Sequence, residues 1–151
     1  MMVREFYHYP LHHWKDLSMQ EKKDIENRED IAHLIRAFYT HAMQDELIGP
    51  FFTEVAAINL EEHLPTMYDF WENLLFHTGA YRGGMMYKHI LLNQKKKLEP
   101  EHFRRWLDLF EREVDKHFEG PVAEEAKTRA RTIAPSLRMK LNPSLLPITW
   151  L

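Results

Sequence analysis

The chain has 151 residues, 44% of them hydrophobic and 28% charged, with a formal net charge of -3 and no cysteine. That length suits one compact domain, and the near-neutral balance gives no electrostatic reason to expect nucleic acid or an acidic membrane surface as a partner. The missing thiols exclude disulfides, thiolate zinc sites and cysteine nucleophiles. The opening residues lack the apolar stretch of a secretory signal, and no run of about 18 apolar residues occurs. The expectation is a soluble cytoplasmic domain with no membrane partner.

Residues 1 to about 26 are irregular, with Pro10 and scattered aromatics, and read as an N-terminal extension; Ser18 and Glu21 have the spacing of a capping box for a short helix. The first strong helix is expected from Asn27 to Asp45, opened by Asn27 with Glu29 and Asp30 in its first turn. Its apolar face is Ile31, Leu34, Ile35, Phe38 and Ala42, and Gly49-Pro50 should turn the chain into Phe51-Phe52. The second helix is expected from Asn59 to His77, with Leu60, Leu64, Met67, Phe70, Trp71 and Leu74 on one stripe and His63 beside it. Pro65 should either kink this helix or cut off Leu60–Leu64 as a separate turn.

From Gly79 to Glu99 the glycines and Lys95-Lys96-Lys97 predict loop, with one or two helical turns around Met85–Leu92. A third long helix should start at Pro100, carry Phe103, Trp106, Phe110, Val114 and Phe118, and stop at Gly120. A fourth should start at Pro121, carry Val122, Ala126, Ala130, Ile133, Leu137 and Leu141, and bend at Pro135. Four main helices and no strand pattern make an all-α chain. The expected boundaries are an extension over 1–24, a domain over 25–142 and a tail over 143–151.

Several chemistries fail on spacing. A di-iron bundle needs two Glu-x-x-His motifs on separate helices, and only Glu99-Pro-Glu-His102 occurs. No His-Glu-x-x-His, Gly-x-Ser-x-Gly or nucleotide-binding glycine loop is present. A haem site asks for one imidazole beside a large apolar slot, with one or two polar groups facing the bound ligand. The chain supplies each part. His89 follows Gly83-Gly84 and is flanked by Met85, Met86 and Ile90, while His63 shares a helix face with Met67 and Phe70. Tyr39 and Trp106 are the candidate polar groups, although packing with one satisfied polar atom is the commoner fate of such residues.

Four ordered segments carry a resemblance. Ile31-Ala-His-Leu-Ile-Arg-Ala-Phe-Tyr39 with Ile48-Gly-Pro-Phe-Phe52, His63-Leu-Pro-Thr-Met-Tyr-Asp-Phe-Trp71, Tyr81-Arg-Gly-Gly-Met-Met-Tyr-Lys-His89 and His102-Phe-Arg-Arg-Trp106-Leu-Asp-Leu-Phe110 are similar to the successive helices of truncated haemoglobins of group III. The resemblance spans roughly residues 24 to 141 and implies a globin-like, two-over-two helical sandwich. It further implies His89 as the proximal iron ligand of a haem b and Phe52 as the aromatic wedge at the corner. Tyr39, His63 and Trp106 would form the distal polar set.

Phe38, Met67, Phe70 and Met85 would either touch the porphyrin or fill core, and Arg82 and Lys88 either pair with its propionates or lie as ordinary surface charges. No Cys-x-x-Cys-His exists for covalent attachment. The implied function is reversible binding of oxygen, nitric oxide and carbon monoxide by a monomer or weak dimer. A nitric oxide dioxygenase or peroxidase-like activity, with a reductase as partner, is compatible with the same donors. The competing reading is a haem-free helical interaction or regulatory domain of globin shape.

Overall fold

The computed structural model describes residues 21–141, and every regular element among them is helical. The expected short helix at Ser18 and the tail from 143 onward lie outside the described residues; Glu21 to Glu26 are not helical.

Helix α1 covers Arg28–Gln44. Asn27 caps it, its side chain accepting the Asp30 N–H at 3.0 Å. A π-helical turn, Phe51–Val55, forms the corner. Helix α2, Leu60–Phe76, is capped by Asn59 and runs without a break through Pro65, so Leu60–Leu64 is not a separate turn. Pro65 is exposed and its missing N–H costs only one backbone hydrogen bond near the start of the helix.

Helix α3, Met85–Lys95, is longer than the one or two turns expected. Of the three lysines that read as loop, Lys95 is helical and sits in the last turn, where the dipole favours a cation, while Lys96 and Lys97 follow the helix. Helix α4, Pro100–His117, opens with a reciprocal Glu99/His102 capping box. Helix α5, Pro121–Leu141, contains Pro135.

The pair α1–α2 packs over the pair α4–α5, with α1 against α4 as the main crossing, while the short α3 packs on α5 and the π-helical turn. This is the all-α, two-over-two arrangement expected. Its centre is an aromatic stack: Phe110 lies between Trp71 (4.7 Å between centroids) and Trp106 (5.5 Å), with Phe38 edge-on to Phe110 and Trp106.

A polar clamp flanks the stack. Glu113 of α4 is 6% exposed and accepts hydrogen bonds from His41 of α1 and, at 3.1 Å, from His117. The other nitrogen of His117 meets His33 of α1 at 3.2 Å. The clamp and the stack together fix α1 against α4, and so fix Tyr39 relative to Trp106.

The chain just before α1 is tied to the far side. Ile25 is buried in the main core. Both carboxylate oxygens of Asp24 accept from the first turn of α5, from Ala123 N–H at 2.8 Å and Val122 N–H at 2.9 Å. Gly120 makes this approach possible, since its φ is 146° and a β-carbon there would come within 2.5 Å of the Asp24 Cγ.

Asp24 therefore acts as a remote cap, satisfying two N–H groups that a helix start leaves without partners. Asp24→Ala is expected to lower the unfolding free energy by about 1 kcal/mol. Urea unfolding checks it: the midpoint should fall with the slope unchanged, and an unchanged midpoint would remove the cap from the account.

Candidate functional site

The helices leave a cavity bounded by α1, α2, α3, α4, α5 and the π-helical turn. It has an inner lobe of about 120 Å³ and an outer lobe of about 360 Å³, and Tyr39, Phe52, Met67, Met85 and His89 line both. The inner lobe adds Phe70, Phe103, Trp106, Leu98 and His102, with Ile133, Ala134 and Leu137 contributed by α5. The outer lobe adds Ile58, His63, Thr66, Tyr81, Lys88 and Lys95.

His89 is positioned by its own helix. Its Nδ1 lies 2.7 Å from the carbonyl oxygen of Met85, one turn earlier. A carbonyl oxygen only accepts, so Nδ1 carries the hydrogen and Nε2 keeps its lone pair. Burial pushes the imidazole below its ordinary pKa, and the Met85 hydrogen bond only partly opposes this. The ring is therefore neutral, partly buried, fixed in one tautomer and part of the cavity wall.

His63, from α2, is half-buried in the outer lobe. Burial lowers its pKa first, and the nearby Lys88 ammonium and His89 add to the effect. Tyr39 is 8% exposed, and burial holds its phenol well above the usual range, so it remains a hydroxyl donor. That hydroxyl donates to the Met67 sulfur at 2.9 Å, and its ring stands edge-on to Phe52 at 5.7 Å and to His63 at 6.1 Å. Thioether sulfur is a weak acceptor, so the hydroxyl can change partner at little cost.

The cavity thus gathers Tyr39, Phe52, His63, Met67, Phe70, Met85, Lys88, His89 and Trp106 in its walls, His63 and Lys88 in the outer lobe, Phe70 and Trp106 in the inner one. Phe38 does not join them. It is 1% exposed and packs behind Tyr39 and Trp106, because consecutive helix positions point about 100° apart and Tyr39 takes the cavity side. Arg82 is exposed on the loop and lines neither lobe. Lys95 stands with Lys88 instead, because α3 continues one turn further than expected.

The sequence reading also passed over Phe51, Leu92, Phe103, Tyr81 and His102. For two of them the signal was present: Leu92 follows Met85 and His89 on one face of α3, and Phe103 sits one turn before Trp106.

Four crossed helices around an apolar cavity with a tautomer-fixed histidine define a truncated globin. No family model matches the chain. It is 31% identical over 111 residues to a group 3 truncated hemoglobin, ctb, of Campylobacter jejuni subsp. jejuni, covering 72% of this chain and 85% of that protein. Among solved structures it is similar to the crystal structure of the group III truncated hemoglobin from Campylobacter jejuni, with a TM-score of 0.67 and 28% identity over 80% of this chain and 95% of that one. The chain belongs to the group III truncated haemoglobins.

The partly buried histidines set a pH dependence. An unfolded histidine titrates near 6.5, whereas His89 and His63 titrate lower when folded. Between those values the unfolded chain binds more protons, so the ligand-free protein should lose stability as pH falls from about 6.5 through the folded values. His89→Gln should flatten that loss. Urea unfolding at a series of pH values measures it, and identical slopes in the two proteins would contradict the buried, neutral assignment.

Proposed function

We propose that the chain binds one haem b, held without covalent attachment in this cavity, where His89 Nε2 would hold the iron. The observation that carries the reading is the His89–Met85 hydrogen bond, which leaves the metal-binding nitrogen bearing its lone pair in a largely apolar cavity. The outer lobe falls within the usual volume range of ligand sites. A haem-free interaction domain would have no use for an open cavity with a fixed imidazole in its wall. The proposed globin domain spans 25–142, with 1–24 and 143–151 outside it.

When bound, haem supplies an iron position at which a diatomic molecule such as oxygen, nitric oxide or carbon monoxide is reversibly held. The protein's part is packing, water exclusion and hydrogen bonding. Phe52, Met67, Phe70 and Met85 provide apolar walls, with Phe52 as the wedge at the corner. Lys88, joined by Lys95, provides cations for the propionates, a role in which Arg82 has no support from the cavity geometry.

Tyr39, His63 and Trp106 are the hydrogen-bond donors for the ligand. The Tyr39 hydroxyl turns from the Met67 sulfur to a ligand that carries partial negative charge, and the Trp106 indole N–H donates from α4. Such donors favour oxygen over the less polar carbon monoxide and slow its release, which argues against bulk transport. The same donors suit nitric oxide dioxygenation or peroxidase-like chemistry supported by a reductase.

His89→Ala should abolish or grossly weaken haem retention. The check is the Soret absorbance that survives gel filtration of hemin-treated protein, and near-normal haem content would mean another residue holds the iron. Trp106→Phe removes one donor and keeps most of the volume. It should speed oxygen dissociation by about tenfold, the worth of one good hydrogen bond in a dry pocket. Stopped-flow displacement of oxygen measures this, and an unchanged rate would remove the indole from the donor set.

A further inference from the structure

Helix α3 carries His89 but contains no buried residue, and it packs on α5 and the π-helical turn through partly exposed side chains such as Leu92. Its ends add to that hold. At the N-terminus the cap position is Gly84, in the left-handed region with φ 98°, and a glycine has no side chain with which to accept first-turn N–H groups. One of those groups is nevertheless satisfied. The Met85 N–H donates to the Tyr81 hydroxyl oxygen at 2.9 Å.

Tyr81 is itself anchored elsewhere. Its ring stands edge-on to Phe70 of α2, 5.1 Å between centroids, and lines the outer lobe of the cavity. Met85 is therefore held through its N–H by a residue fixed on α2, and through its carbonyl it holds the imidazole of His89 at 2.7 Å. The two links share one residue, and they run from α2 to the ring that faces the cavity.

We propose that Tyr81 is a positioning residue for His89: its hydroxyl caps α3 at Met85 and thereby sets the direction in which the imidazole presents Nε2. The proposal rests on the reading of His89 as the iron ligand. It also accounts for the pair Gly83-Gly84, both at positive φ, which lets the chain double back so that residue 81 reaches the amide of residue 85.

Tyr81→Phe tests this, because it keeps the ring against Phe70 and deletes only the hydroxyl. Two readouts are needed. In the hemin-free chain, amide hydrogen exchange at Met85 should speed by about fivefold, the usual worth of a helix cap. In the hemin-loaded protein, the iron–histidine stretching band of the reduced form should shift or broaden, and transfer of hemin to an excess scavenger should accelerate by a similar factor.

Unchanged exchange overturns the cap. Faster exchange with an unchanged band and unchanged hemin transfer leaves Tyr81 as a helix cap only and overturns its positioning role. If the unsubstituted chain takes up no hemin, the haem reading and the positioning role fall together, while the exchange arm still reports on the cap.

Discussion

The hydrogen bond from the His89 ring to the Met85 carbonyl is the contact on which the site depends. It lies within a single turn of α3, so both of its partners are placed by the same short helix. It assigns the tautomer and leaves Nε2 unprotonated, while burial, which outweighs the opposing pull of this bond, keeps the ring neutral. A metal-binding histidine commonly uses its second nitrogen in this way, because the outer hydrogen bond orients the ring and raises its basicity as a ligand. A histidine without such a partner in a partly apolar wall would be free to rotate and to exchange tautomers.

The rest of the fold keeps Tyr39 and Trp106 in register with that ring. Tyr39 rides on α1 and Trp106 on α4, and two different interactions hold these helices together. The aromatic stack of Trp71, Phe110 and Trp106 fills the centre, and the clamp of Glu113 with His41 and His117 flanks it. A buried carboxylate with both oxygens engaged is strongly directional, so it resists sliding of α1 along α4 in a way that aromatic packing alone does not. Tyr39 then needs no rigid partner of its own. Its hydroxyl rests on a methionine sulfur, close enough to stay ordered and weak enough to be given up.

Much of this was legible in the sequence because the signals were local. Asn27, Asn59, Pro100 and Pro121 mark helix starts within a residue of where the helices begin, and each works through chemistry confined to one turn. Where the reading slipped, a local signal was outweighed. Pro65 did not divide α2, because a single lost hydrogen bond near an exposed helix start is outweighed by burial of Leu64, Trp71 and Leu75 behind it. The helical turns expected around Met85–Leu92 run on to Lys95, and Lys96 and Lys97 alone of the lysine run lie outside α3. Of the two places open to Phe38, porphyrin contact or core, it takes the core, because it points about 100° away from Tyr39 on the helix. The α5 lining at Ile133, Ala134 and Leu137 and the clamp at Glu113 were invisible for another reason. Each depends on which helix comes to lie opposite, and residues such as His41 and Glu113 look like ordinary surface positions within their own helices.

In the proposed bound state, Nε2 of His89 holds the iron of a haem seated in the cavity lined by α2 and α3. A crystal structure of the chain reconstituted with one equivalent of hemin is the decisive test. The expected result is a porphyrin in that cavity with its iron bonded to Nε2 of His89 while Nδ1 stays on the Met85 carbonyl. Iron bonded instead to another side chain, or a porphyrin seated outside the cavity, would contradict it.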